Sequence, residues 1–183
     1  MPRAWKNVAA LATAGGMALA ACGGDDDPSS TAGSGPGNPI DQAFVTDVVP
    51  LEEKTVSLAQ IALRRATSDF ARGLAGDIIR DQTQQIGTMR RIGTGLSAAN
   101  VKVGSLGVDR RARAVSASTA PLQTAKPFEP AFLRAVMALH AGAVEMARVE
   151  LAKGRQAHLK AVAQQIVDTS GAQLSAMRKR LGR

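Results

Sequence analysis

The sequence predicts an all-α protein, a duplicated helical hairpin that folds as an antiparallel four-helix bundle with a long crossover loop. Three observations carry this. Moved back by 88 positions, Glu129–Gly154 overlays Asp41–Ala66, and the same shift carries Leu159–Arg178 onto Ala71–Arg90. Phe44/Phe132, Val48/Val136, Leu51/Leu139, Ala59/Ala147, Ile78/Ile166 and Met89/Met177 are identical under it. A constant offset without gaps is the mark of an internal duplication. Within each copy, apolar residues recur at three- and four-residue steps, the period of a helix with one buried face. The composition, rich in Ala and holding four Phe, one Trp and no Tyr, suits a small helical protein with an aliphatic core.

The chain opens on Arg3 and Lys6, then an uncharged stretch, VAALATAGGMALA, ending in small residues. A basic start, a short apolar centre and a small-residue cleavage site make residues 1–21 an export signal. Thirteen apolar residues fall short of the roughly 20 that a membrane-spanning helix needs. The end of the signal, Leu19-Ala20-Ala21-Cys22, resembles the bacterial lipobox. That resemblance implies cleavage after Ala21 and lipidation of Cys22, the one cysteine of the chain. Two or more acyl chains anchor a protein stably where one does not. The membrane is therefore an expected partner through acylated Cys22, and the expected location is the bacterial cell envelope. After Cys22, residues 23–38 continue as GGDDDPSSTAGSGPGN, so that 22–38 is the acylated cysteine and a flexible tether of Gly, Ser, Pro and Asp reaching on the order of 20–25 Å.

Residues 39–183 form the folded part. The first helix runs from about Pro39–Asp41 to Ala66 on Phe44, Val48, Leu51, Thr55, Leu58 and Ala62, with Val56, Ala59 and Leu63 widening the stripe. Pro50 lies inside it and removes one backbone donor. Ser68 or Asp69 caps the second helix, which carries Leu74, Ala75, Ile78, Ile86 and Met89 to about Arg91. The short gap between them makes an antiparallel hairpin, the first repeat (about 41–93). Residues 94–126 lack periodicity and read as the crossover, with a short strand at Val101–Val103 and a basic knot at Asp109–Arg113. If the third helix runs parallel to the second, this loop must travel the roughly 40 Å of the bundle. The second repeat (about 129–181) begins near Pro127–Pro130, where a helix's first turn tolerates proline. Its first helix ends at Gly154, and its second runs from about Gln156 to Leu181.

The repeated fragments, a Pro-containing step followed by an A-(V/I)-x-M-A turn, resemble the bacterial family "domain of unknown function 305". The resemblance covers Asp41–Arg91 and Glu129–Leu181. It implies a ferritin-like topology, export, and for some members an association with copper or other metals. The family signature is a Pro-His-His step followed by A-x-x-M-A. Here Pro50-Leu51-Glu52-Glu53 stands in the first copy and Leu58 replaces the methionine. The second copy has Ala138-Leu139-His140, followed by Ala143-Val144-Glu145-Met146-Ala147. Four expected histidines have become one.

His140 lies on or beside the buried stripe, and its repeat partner is Glu52. A metal reading assigns it a site with Met146, Glu52, Met89 and Met177. Imidazole and thioether ligands together favour copper(I), and copper and zinc are the cofactor candidates. The plainer reading, which the sequence favours, pairs or caps a core histidine and uses the methionines as packing. A carboxylate-bridged di-iron site needs Glu-x-x-His, which does not occur. Cys22 is taken by lipidation, and two histidines give little general-base capacity. The expectation is a protein that is not an enzyme.

The formal net charge is +8, and without the leader and the Asp25–Asp27 run the folded part keeps 21 basic against 12 acidic side chains. Such a balance favours anionic surfaces, though an exported protein is not expected to meet nucleic acid. Three functions follow from these readings: a non-catalytic structural or interaction module with a protein partner, which the sequence favours; an envelope metal-binding protein acting through His140; and a basic adaptor for anionic envelope polymers.

Overall fold

The computed structural model describes residues 37–108 and 120–182. The export signal, Cys22, nearly all of the tether and the Asp109–Arg113 knot lie outside the described residues. The elements are α1 (Pro39–Arg65), α2 (Asp69–Ala98), α3 (Ala120–Thr124), α4 (Phe128–Lys153) and α5 (Ala157–Arg180). The four long helices form an antiparallel bundle of ferritin-like topology, in which α1–α2 and α4–α5 are hairpins and α1 packs against α4.

Three of the four long helices start where the sequence supplies a side-chain cap, whereas Pro127 ahead of α4 supplies none. Asn38 accepts from the backbone N–H of Ile40 and Asp41, while Asp41 reaches back to the Asn38 N–H, a reciprocal capping box. Ser68 caps α2 by accepting from Ala71 N–H at 3.1 Å, and the Gln156 side chain caps α5 by accepting from His158 and Leu159. Positions 68 and 156 are equivalent under the repeat. The helix of α1 continues through Pro50 without a break.

Most apolar positions that are identical in the two copies lie in the core. Phe44, Phe132, Val48, Val136, Ile78, Ile166, Met89 and Met177 are all fully buried. Both hairpins must present the same apolar face to the shared interior, so the duplication repeats that face. Burial of each large side chain is worth roughly 1.5–3 kcal/mol.

The two ends of the bundle are defined by contacts between helix termini. At the near pole, where residue 37 leads into α1, Asn38 Nδ2 donates to Lys153 O at 2.8 Å. There Gln42 Nε2 donates to Ser97 Oγ at 3.0 Å, and Arg155 and Gln156 N–H donate to Asp41 Oδ1 at 2.9 Å each. At the far pole Arg180 pairs with Glu129 at 2.8 Å and lies over the Phe70 ring, while Arg65 lies over Phe128. Glu129 also meets Ser68. The clasp is pseudo-symmetric: an acid in the first turn of each repeat reaches the N-terminus of the other repeat's second helix.

Four expectations change. The second helix does not end near Arg91 but continues to Ala98, because Leu96 stays buried and Gly93 sits against Val45. It stops at Asn100, whose φ of 58° ends the helix while Val101 N–H donates back to Leu96 O, a turn that Asn tolerates. Val101–Val103 is not a strand; the segment caps α2 and then ties to α1 through Gly104 N–H and Pro39 O at 2.8 Å. The crossover holds a helix, α3, fastened by Arg65, which donates to Leu122 O and Ala125 O. Leu63, counted on the buried stripe, is 48% exposed, because it points away from both α2 and α4 at the end of the helix. The described ends of the crossover lie at opposite poles, Gly104 beside Pro39 at the start of α1 and α3 beside Arg65 at its end.

Candidate functional site

The interior is not uniformly apolar. Glu52 and Thr55 of α1, Gln82 and Gln85 of α2, His140 of α4 and Ser170 of α5 are buried. His140 and Glu52 occupy equivalent repeat positions, as do Gln173 and Gln85. In the second repeat the pair is joined: His140 Nε2 donates to Gln173 Oε1 at 2.7 Å. With the proton held on Nε2, Nδ1 carries a bare lone pair, and it has no partner. Fixing a ring tautomer through its other nitrogen is how proteins aim an imidazole at a ligand. In the first repeat the pair is open. Both carboxylate oxygens of Glu52, the Gln82 carbonyl and the Gln85 amide nitrogen lack partners.

Burial sets the protonation of both central groups. It pushes the Glu52 carboxyl well above its ordinary 4.5 and lowers His140 from 6.5 to about 4, against the opposing effect of the Gln173 bond. The imidazole is neutral at neutral pH, the form that binds metals. A cation placed among these atoms would satisfy Nδ1 and supply the countercharge that an ionised Glu52 needs. The orphaned donor atoms thus fit a soft or borderline cation in kind.

The other three residues assigned from sequence, Met89, Met146 and Met177, are also fully buried. Met177 stands one turn beyond Gln173 on α5, and Met146 lies on α4 itself, so these two occupy the helices that the His140–Gln173 bond joins. Met89 stands one turn beyond Gln85 on α2. No hydrogen bond among the described residues joins any two of the five, and no group of three or more His, Cys, Asp or Glu there could hold a metal ion. His158 is exposed near the start of α5.

Sequence reasoning passed over the glutamines. Their signal was present, since Gln85 and Gln173 are identical in the repeat and sit one turn before the paired methionines. It also passed over a second buried cluster at the near pole. Asp41 and Glu150 are both fully buried. Asp41 accepts from Asn38, Arg155 and Gln156 N–H, whereas neither oxygen of Glu150 has a donor. Glu150 is raised from 4.5 to about 8, first by burial and then by the bond to and charge of Asp41, with Lys160 opposing. Glu150 is therefore the protonated member, giving its hydrogen to Asp41. A Cβ at Gly154 would lie 2.2 Å from Glu150 Oε1 and 2.7 Å from Glu150 O, so a residue without a side chain lets the turn close over this pair.

A duplicated, ferritin-like four-helix bundle with one histidine in a buried polar layer is the class these features define. The chain belongs to the DUF305 family, a domain of unknown function whose model matches residues 41–181. Among solved structures it is similar to a DUF305 fragment from Deinococcus radiodurans, with 27% identity, TM-score 0.65, and 81% of this chain and 99% of that one covered. It is also similar to CopM in its Cu(I)-bound form, with 24% identity, TM-score 0.64, and 76% and 93% covered. A DUF305 protein from Streptomyces coelicolor matches at 22% identity and TM-score 0.63, covering 78% and 92%. At such identities the last two likenesses show the fold alone. Among curated proteins none matches. No helix of the described residues is long and apolar enough to cross a membrane.

Proposed function

We propose that this chain is an exported, lipid-anchored, non-catalytic protein whose bundle takes up a single soft metal ion, copper(I) in type, at His140. The observation that carries the metal reading is the bare Nδ1 of a fully buried, neutral imidazole held in place by Gln173. Met146 and Met177 on the adjoining helices would supply thioethers, and Glu52 a carboxylate across the α1–α4 contact. CopM, which shares the fold, is crystallised in Cu(I)-, Cu(II)- and Ag-bound forms. Anchoring is supported by the export signal and the lipobox-like Leu19–Cys22.

The test is titration of the chain from residue 22 onward with copper(I) and zinc, beside His140→Ala and Met177→Leu. Stoichiometric copper(I) binding, abolished in His140→Ala and weakened in Met177→Leu, is the expected result. Binding that persists unchanged in His140→Ala refutes the site. A second reading, a scaffold without metal, is favoured by the lack of a three-ligand cluster among the described residues. Absence of binding by either metal would select it. Replacing Cys22 with Ala should release the protein from membranes, and retention would remove the anchor from the proposal.

A further inference from the structure

The net positive charge of this bundle is not spread over it. We count the terminal four residues of each long helix with the described loops that join them. The far pole then holds seven basic side chains against two acidic, the near pole four against two, and the length between them six against seven. Arg64 and Arg65 close α1, Arg72 lies in the first turn of α2, Lys126 precedes α4, and Arg178, Lys179 and Arg180 close α5. Asp69 pairs with Arg72 at 2.8 Å, and Glu129 with Arg180. Arg65 is spent on the crossover carbonyls. That leaves Arg64, Lys126, Arg178 and Lys179 exposed, with no anionic partner among the described residues.

The far pole lies opposite the point where residue 37 enters the bundle, some 40 Å away along α1. Five of its seven cations are arginines, whose planar forks match phosphate oxygens in pairs. Leu63 is the one large apolar side chain exposed there among the described residues. A face with so little apolar surface is built for charge contact and not for insertion into lipid.

We propose that the far pole is a docking surface for a linear polyanion with closely spaced phosphate groups. Such a ligand releases counterions as it binds, so its affinity must fall steeply with salt and must depend on where the positive charges stand.

The experiment measures binding of labelled long-chain inorganic polyphosphate to the chain from residue 22 onward, carrying Cys22→Ala. A chelator is present so that the His140 site plays no part. The far-pole variant is Arg64→Gln/Lys126→Gln/Arg178→Gln/Lys179→Gln. The control, Arg91→Gln/Lys102→Gln/Arg134→Gln/Arg148→Gln, removes the same charge from exposed positions elsewhere. The far-pole variant should weaken binding at least about tenfold and flatten its salt dependence, and the control by less than about threefold. Should the quadruple variant lose helix content, Arg178→Gln/Lys179→Gln at the end of α5 should still weaken binding more than Arg134→Gln/Arg148→Gln. Equal weakening by both sets overturns the proposal, as does the absence of saturable binding. Binding to phosphatidylglycerol vesicles without binding to polyphosphate overturns it in favour of a lipid surface.

Discussion

Glu150→Gln should remove a pH dependence that the buried Asp41–Glu150 pair imposes on stability. In the folded protein Glu150 holds its proton up to about pH 8, mainly because it is buried and then because Asp41 accepts the hydrogen. In the unfolded chain it loses the proton near its ordinary 4.5. The folded state therefore binds more protons between these values, and stability must fall as pH rises through that window. It is fully present below 4.5 and fully lost above 8. Taken whole, a displacement of this size is worth about 5 kcal/mol. Lys160 and the nearby solvent at the end of the bundle screen the carboxylate, so about 2 kcal/mol is the reasoned effect. Glutamine keeps the shape and the hydrogen donor to Asp41 but cannot ionise. The assay is urea or thermal unfolding of both proteins at pH 5 and pH 8.5. Glu52 and His140 titrate alike in both and cancel in the difference. The gap between variant and wild type should shift by about 2 kcal/mol in the variant's favour, or roughly 4–8 °C. Parallel behaviour of the two proteins across this range would refute the reasoning.

Asp41→Ala should cost about 3 kcal/mol at pH 6, since it strips acceptors from three backbone N–H groups at two helix starts; a loss under about 1 kcal/mol in denaturant unfolding would show that water replaces it freely. Gly154→Ala should destabilise by about 2 kcal/mol or more, because its methyl would meet the Glu150 backbone carbonyl as well as the side chain; a thermal midpoint within 2 °C of wild type would deny the crowding. Trp5 is the only Trp and there is no Tyr, so the purified envelope form should lack Trp emission if the signal is removed. Emission from an intact, membrane-associated chain would show that the leader is retained.

Local physics made the helices and their partnership legible in advance. Stripes at helical spacing, Ser68 and Gly154 at helix ends, and the 88-residue offset are properties of short or regularly spaced sequence. They specify four helices and two equivalent hairpins because each hairpin must bury the same face. The end of α2 was not legible, since Gly93, Gly95 and Asn100 look like loop residues until Val45 is placed against Gly93 and Leu96 enters the core. His140 and Glu52 stood out as odd residues in a repeated motif, but whether either was buried depended on packing by the other hairpin.

Residue type and local period were enough to read a helical, duplicated and basic protein from the sequence. The tertiary structure alone decided three things. It joined His140 to Gln173 and so left Nδ1 bare. It enclosed Glu150 with Asp41, residues more than 100 positions apart whose repeat counterparts, Ala62 and Glu129, gave no warning. And it gathered dispersed arginines and lysines onto one pole, because antiparallel packing brings the ends of α1 and α5 beside the starts of α2 and α4. Desolvation and charge summation act through space, and only the folded chain sets those distances.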